Sequence, residues 1–483
     1  MGLLGILLGL GALVWLSFRG WSVLLLAPLA GLVVTLAAGE PLLAHWTQIF
    51  MGAAAAFLAQ FFPLFLLGAL FGKLMEDSGS VAAIARFMTE KLGARRAVLA
   101  VVLASALVTY GNVSLFVALF VLAPMAQALF RAADIPSRLM PAAIALGSFT
   151  FTMTALPGTP AIQNAIPMPF FGTTPFAAPG LGVIAAAIML GFGLWWLGRA
   201  EAAARRKGEG YGDASAAADA AAEDPLVRQR ATTASSFDPP EVHRGRPSDA
   251  SPGVLVSVLP LVVVILVNLV MSILVLPRLD TTFLAEEQWG GVPLSAVSGV
   301  WAVIVALASA IIVLIVLNRG RLPNLRESVD AGANASVLPV LSVASLVGFG
   351  AVVAAMPAFA TVRDWVLSIE GGPLVSLAVS TNILAALTGS ASGGLTIALD
   401  ALGGTYLQLA AELGIDPAVL HRVAVISAGT LDTLPHNGAV VTLLAVCGST
   451  HGKSYFDIVM AGIVGPILAL VAVIVLGSMF GSF

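Results

Sequence analysis

The sequence predicts an all-α polytopic membrane protein made of two inverted repeats, each with five transmembrane spans and one re-entrant hairpin, with helices broken at mid-membrane. Three observations carry this expectation. The chain is 59% hydrophobic and 10% charged, with a mean hydropathy of +0.99, whereas soluble domains carry about 25% charged residues. Apolar runs of about 20 residues, enough to cross a bilayer, recur along it. Two further apolar stretches are interrupted by polar, glycine-bearing tips at matching places in the two halves.

The first repeat is placed at 1–198. Its spans run at 3–18, 21–38, 51–73, 139–156 and 180–198. The opening "MGLLGILLGLGALVWLSFRG" has neither a basic n-region nor a small-residue cleavage site, so it reads as a span and not a signal peptide. An amphipathic stretch follows the third span, with Val81, Ile84, Ala85 and Met88 on one face. Residues 97–130 are too long for one span and too short for two, and they break at "TYGNVS" (Thr109 to Ser114). They are read as a hairpin whose tip enters the membrane, which is allowed where protein or a water-filled cavity satisfies the backbone. The fourth span, 139–165 in full, is broken within "FTFTMTALPGTPAIQNAIP".

Residues 199–252, rich in Ala, Asp, Pro, Ser and Gly, are expected to be a disordered cytoplasmic linker. The second repeat follows at 253–483, with spans at 253–277, 293–317, 335–360 and 457–481. Val362, Trp365, Val366 and Ile369 share a face of its amphipathic stretch. Its hairpin is 373–412, with the tip "TGSASGG" (Thr388 to Gly394), and its broken span is 418–447, with "ISAGTLDTLPHNGAVVTLL" inside it.

Two patterns bind these elements together. Arg19, Arg86, Lys91, Arg95, Arg96, Arg131, Arg138, Arg199, Arg205, Arg206, Lys207, Arg319, Arg321, Arg326 and Lys453 fall on one side, which the positive-inside rule makes cytoplasmic. Both termini are then outside, provided each hairpin returns to the side it left. The same 46-residue interval separates Gly111 from Pro157 and Gly389 from Pro435, and Ser114 then falls on Ser392. An odd number of crossings inverts the second copy, the architecture of many secondary transporters.

Broken helices expose orphan N–H groups at the positive end of the helix dipole, and such ends hold carboxylates without a full positive charge. The candidate substrate-binding residues are Asn112 and Ser114 at the first tip, and Thr159, Gln163 and Asn164 after the first break. Ser390 and Ser392 at the second tip and Thr433 and Asn437 at the second break complete the set. Ionisable groups within a membrane are functional by default. His436 and Asp432, four residues apart around Pro435, are therefore candidate proton carriers, with Asp400 a third. Isolated polar groups more often pack between helices or bond their own helix, and Asn268 and Asn382 fit that description. His421, Arg422 and Glu412 are expected near the outer surface in water, His45 and His451 in loops, and no Lys or Arg deep in a span.

No cofactor is expected. The coupling ion is a proton or, as the alternative, Na⁺, which broken-helix carbonyls also suit. The partners expected are a small organic-acid anion and the lipid bilayer, not nucleic acid. With one cysteine, Cys447, no internal disulfide can form. An intramembrane hydrolase using Asp432, His436 and a serine is the remote alternative, but no "GxSxG" or "HExxH" pattern is present.

The runs "TGSASGGLTIALDALG", "HRVAVISAGTLDTLPHNGAVVTLLAVCGSTHGKSYFDI" and "FGKLMEDSGSVAAIARFMTEKLGARRAVLAVVLASALV" resemble the gluconate permease (GntP) family over most of the chain except the linker. The resemblance implies the ion-transporter fold, an elevator-type movement, a homodimer, and proton-coupled uptake of a small hydroxy-carboxylate across a bacterial inner membrane. Gluconate carriers of this family usually place an acidic residue in the first hairpin and a His-Pro-rich run at the first break. Here those regions read "TYGNVSLFVALF" and "TMTALPGTPAIQ", without charge. A less polar acid of the 3-hydroxybutyrate type suits these surroundings better than gluconate.

Overall fold

A computed structural model of the chain describes residues 2–18, 21–110, 115–212, 252–435 and 437–483. Among them every regular element is helical. The first half opens with α1 (Gly2–Phe18) and α2 (Val23–Ala38), followed by the long α3 (Leu42–Asp77). The amphipathic α4 (Ser80–Leu92) buries Val81, Ile84 and Ala85. The chain then bends by 98° about Gly93 into α5 (Ala97–Tyr110). Gly93 sits at φ +62, a conformation that favours glycine.

Helix α6 (Leu115–Ala132) packs back on α5, so residues 97–132 form a helical hairpin whose tip, 111–114, is outside the described residues. Next come α7 (Met140–Ser148), the one-turn α8 (Phe151–Thr154), α9 (Ile162–Ala165), α10 (Pro167–Phe171) and the long α11 (Pro179–Arg206).

The second half repeats this order with α12 (Val254–Arg278), α13 (Leu294–Leu317), the long α14 (Leu325–Ala355) and the short α15 (Phe359–Leu367). A hairpin follows, α16 (Gly372–Thr388) and α17 (Ala391–Leu413), then α18 (Pro417–Thr430), α19 (Gly438–Val446) and α20 (His451–Phe480). Six of these helices are long and apolar enough to cross a membrane, namely α3, α11, α12, α13, α14 and α20.

Three helices begin or end beyond the apolar runs that announce them. Helix α14 starts ten residues before the expected 335, and α20 six before 457. Helix α11 runs to Arg206, so 199–206 belong to a helix and not to a linker. Hydropathy reports only the stretch that needs lipid; a helix continues past it wherever its own hydrogen bonds and exposed charges allow. Residues 207–212 also fold. The Tyr211 N–H donates to Asp134 Oδ1 at 2.9 Å, and Arg138 forms an ion pair with Glu209 at 2.8 Å. The rest of the expected linker, 213–251, lies outside the described residues.

Packing follows a paired scheme. Helices α3 and α14 lie against each other, with Gly332 and Gly348 of α14 meeting Leu70 and Phe50 so closely that a Cβ would crowd the α3 backbone. This is how small residues bring membrane helices together. Helix α2 packs on α14 as α13 packs on α3, and α5 packs on α7 as α16 packs on α18. Across the halves, α6 contacts α19, α17 contacts α9 and α10, and α11 contacts α20. One apolar core lies around α3, α13 and α14, with Phe61, Phe71 and Leu307 at its centre. A second joins α11, α16, α17, α18 and α20 through Leu181, Leu377, Tyr406 and Val473. The interrupted helices lie beside this second core.

Candidate functional site

Break 1 is the stretch from Phe149 to Ala161. Helix α7 ends early because hydroxyls compete for its last carbonyls: Thr150 Oγ1 donates to Leu146 O at 2.6 Å and Thr152 Oγ1 to Gly147 O at 2.8 Å. Beyond α8 the backbone carbonyls are met one after another by side chains from elsewhere. Thr154 O accepts from Arg422 Nη1 at 3.3 Å, Pro157 O from the Tyr110 hydroxyl at 2.7 Å, and Gly158 O from Asn268 Nδ2 at 3.2 Å. Asn164 Nδ2 donates to both Thr159 O and Pro175 O, each at 3.0 Å.

That double donation orients the Asn164 amide, leaving Oδ1 to accept from His421 Nε2 at 3.1 Å. His421 Nδ1 then faces the Thr173 hydroxyl at 2.6 Å, so this network suits the neutral Nε2–H tautomer. The Tyr110 bond joins the last described residue before the first tip to break 1.

Break 2, from Leu431 to Asn437, is joined to the second tip in a different way. The turn between α16 and α17 is tight, with Gly389 at φ +61. At Gly394 any side chain would drive into the backbone of Leu384 and Ala385. Ser390 caps α17 by accepting from the Gly393 N–H at 3.1 Å, and its hydroxyl meets that of Ser392 at 3.4 Å. Asp432 Oδ1 accepts from the Ala391 N–H, the first of α17, at 2.8 Å, and from Asn437 Nδ2 at 2.8 Å. The same Asn437 amide donates to Gly389 O at 2.9 Å, while its oxygen caps α19 by accepting from Ala439 N–H at 2.7 Å.

A carboxylate of the chain thus occupies the positive end of α17, where helix dipole and free N–H groups favour an anion. On the far side of the break, Tyr455 donates to Thr433 O at 3.2 Å and His451 Nε2 to Pro435 O at 2.8 Å. The two breaks approach each other: a Cβ at Gly429, three residues before Asp432, would run into the Thr154 side chain.

This arrangement of a hairpin tip bonded to an interrupted helix can now be set beside known proteins. Residues 1–169 match the description of the GntP family permease. The whole chain is 40% identical, over 489 aligned residues covering 100% of both proteins, to an uncharacterised transporter, YxjC, of Bacillus subtilis strain 168. The chain belongs to the GntP family of permeases. It is a transporter and not an enzyme, and its apolar helices make it a multi-pass membrane protein.

Of the residues singled out in the permease's sequence, Ser390, Ser392, Asp432 and Asn437 come together at the second tip, and Thr159 and Asn164 at break 1. Gln163 is buried as the second residue of α9. Thr433 is buried, with its hydroxyl against Gly462 of α20 and without a hydrogen-bond partner. Asp400 is exposed, about 13 Å along α17 from Ala391 by helical rise. Asn112, Ser114 and His436 lie outside the described residues. Asn382 bonds its own helix at Ala378 O, whereas Asn268 reaches break 1.

The expectation that His421 and Arg422 are solvated is overturned: both are 0% exposed. They sit one turn inside α18, flanked by Leu420, Val423 and Ala424, so that turn has no polar face to offer water. Arg422 is also the basic residue within an apolar run that the sequence reading lacked. The "HR" pair inside "LHRVAV" was the available signal.

Proposed function

We infer that this permease is a secondary active transporter that carries a small hydroxy-carboxylate together with a proton. The observation that supports the reading best is the Asp432 carboxylate seated on the Ala391 N–H and the Asn437 amide. An ionised carboxylate makes charge-assisted hydrogen bonds there, and protonation weakens them. Loading a proton on Asp432 therefore loosens the second tip from break 2 and frees donors suited to a substrate carboxylate. Ser390, Ser392, Thr433 and Asn437 are the proposed contacts at this break, with Thr159, Gln163 and Asn164 on the facing side. The proton also offsets a negative charge that is costly within the bilayer. His436, between Asp432 and α19, and the more distant Asp400 remain proposed participants in the proton path.

The paired packing of α2 on α14 and α13 on α3, and of each hairpin's second helix on the opposite half, supports two inverted repeats around this site. In the proposed cycle the two hairpins and broken helices move as a block against a scaffold that includes α3 and α14, an elevator-type movement, with the permease as a homodimer. We place it in a bacterial inner membrane with both termini outside. The sequences of the first tip and break, which contribute no acidic residue or histidine of their own, favour a short, weakly polar acid of the 3-hydroxybutyrate type over gluconate.

Uptake of labelled 3-hydroxybutyrate and gluconate into proteoliposomes, with and without an inward proton gradient, tests the reading. Accumulation is expected only with the gradient and is expected to be lost in Asp432→Asn. Gradient-independent uptake would reject proton coupling.

A further inference from the structure

Arg422 is a buried cation without an anionic partner among the described residues. Its side chain is 0% exposed, and the ion pairs among the described residues all lie elsewhere. A buried charge normally needs a partner of opposite sign or a full set of hydrogen bonds. What surrounds this guanidinium is main-chain oxygen: Ala177 O accepts from Nε at 3.2 Å and from Nη2 at 2.6 Å, and Thr154 O accepts from Nη1 at 3.3 Å. Thr154 O is one of the C-terminal carbonyls that the short α8 leaves over, and Ala177 O is a main-chain carbonyl of the non-helical connection into α11. The seat is shaped for the group, because Gly182 on the first turn of α11 presents no Cβ where Arg422 Cζ lies 3.3 Å away.

In transporters built from broken helices, unwound carbonyls and the C-terminal ends of half-helices are the ligands of a coupling Na⁺. Here one carbonyl of break 1, Thr154 O, and the non-helical carbonyl of Ala177 face a guanidinium instead, and the neighbouring carbonyls of Pro157, Gly158 and Thr159 are held by Tyr110, Asn268 and Asn164. We propose that Arg422 is a resident cation standing in the place of a coupling sodium, so that break 1 binds no metal ion and ion coupling is left to break 2. Arg422 is then a positioning residue: it ties α8 and the start of α11 to α18, ten residues before Asp432 on the same chain segment. The proposal deepens the transporter reading above and rests on it for its meaning, but not for its test.

The test uses the purified full chain and needs no substrate. Thermal unfolding is measured in NaCl and in choline chloride at equal ionic strength, with hydrogen exchange over residues 154–178. The unaltered protein is expected to unfold at the same temperature and exchange at the same rate in both salts. Arg422→Ala empties the seat and is expected to unfold at a lower temperature in choline and to regain stability in Na⁺ with a saturable concentration dependence. Arg422→Lys keeps a cation and should stay indifferent to Na⁺.

Slower exchange over 154–178 of the unaltered protein in Na⁺ overturns the proposal, as does an Arg422→Ala protein that ignores Na⁺. Should Arg422→Ala not fold in choline, its folded yield from membranes solubilised in Na⁺ is read instead; recovery supports the proposal and failure in both salts overturns it. Uptake that ignored a proton gradient would sink the coupling at Asp432 and leave these unfolding results unchanged, so the two can fail separately.

Discussion

Break 1 and break 2 interrupt helices at corresponding places in the two halves, yet they carry opposite charges and are closed by different means. At break 1 the group is a cation, Arg422, wholly buried and bound to carbonyls that cannot titrate. At break 2 it is a carboxylate, Asp432, half-buried and bound by the donors of a hairpin tip and an asparagine. A guanidinium keeps its charge at any working pH, whereas a carboxylate can lose it. The difference teaches that elements in a similar order along the two halves can play unlike parts. On the proposed reading, break 1 stays as it is and break 2 changes with one proton.

The sharpest way to break this comparison is at Asp432. Asp432→Asn keeps the shape but removes the charge and the proton site. Charge-assisted hydrogen bonds contribute about 1.5–3 kcal/mol each, so proton-driven accumulation is expected to fall by about 10- to 100-fold. Substrate exchange across vesicles without a gradient is expected to persist. Equal loss of exchange and accumulation would make Asp432 a purely structural latch, and the two breaks would no longer differ in kind.

The next effect is one of stability at break 1. Gly182→Ala pushes a methyl group against Ala155 O and the Arg422 guanidinium. Overpacking of this sort costs about 1–3 kcal/mol. A lower unfolding temperature is expected, with the pH dependence of uptake unchanged. A shifted pH profile would show that break 1 takes part in proton movement after all.

These contrasts were only partly legible in the sequence. The hairpins could be read because "TYGNVS" and "TGSASGG" interrupt long apolar runs, and the second one turns where glycine allows it, at Gly389. The broken spans were legible from Pro157 and Pro435 in apolar surroundings. The first interruption, however, begins at Phe149, where hydroxyls and not a proline end the helix.

What could not be read was which polar groups meet. Arg422 was expected in water because it is only the fifth residue of its expected span, 418–447. Its burial depends on Thr154 and Ala177, more than 240 residues away in the chain. The seating of Asp432 on Ala391 N–H is likewise a contact across 41 residues that no local pattern announces.

A smaller effect sharpens the picture at break 2. Asn437→Ala removes the cap of α19, the bond to Gly389 O and one of the two bonds to Asp432 Oδ1, while leaving Asp432 on the Ala391 N–H. Loss of a cap costs about 0.5–2 kcal/mol. Hydrogen exchange at the amides of 438–441 is expected to quicken more than at 392–395, where Ser390 still caps α17. Equal acceleration at both would mean that tip and break open as one unit, with Asn437 and not Asp432 as their hinge pin.

The smallest expected effect lies where the supports of the two breaks meet, at the start of α7. Arg138, at the entrance to α7, pairs with Glu209 at 2.8 Å and with Asp457 of α20 at 2.8 Å, so it links the helix leading into break 1 with the helix that follows α19 after break 2. The hydrogen bond from Arg138 holds the Glu209 carboxyl below its usual value of 4.5. A lowered acid contributes stability that is complete above 4.5 and is lost as pH falls through its folded value. Side-chain exposures of 30% for Arg138 and 38% for Glu209 mean that solvent screens the pair, and such pairs contribute about 0–1 kcal/mol. Glu209→Gln is therefore expected to unfold at nearly the same temperature as the unaltered protein at pH 3.5 and slightly below it at pH 7, with the gap closing in 1 M salt. A gap that survives high salt, or one that widens in acid, would show that residues 207–212 are held by Tyr211 and its contacts with Asp134 and Ser137, and that the charge on Glu209 does not couple the two supports.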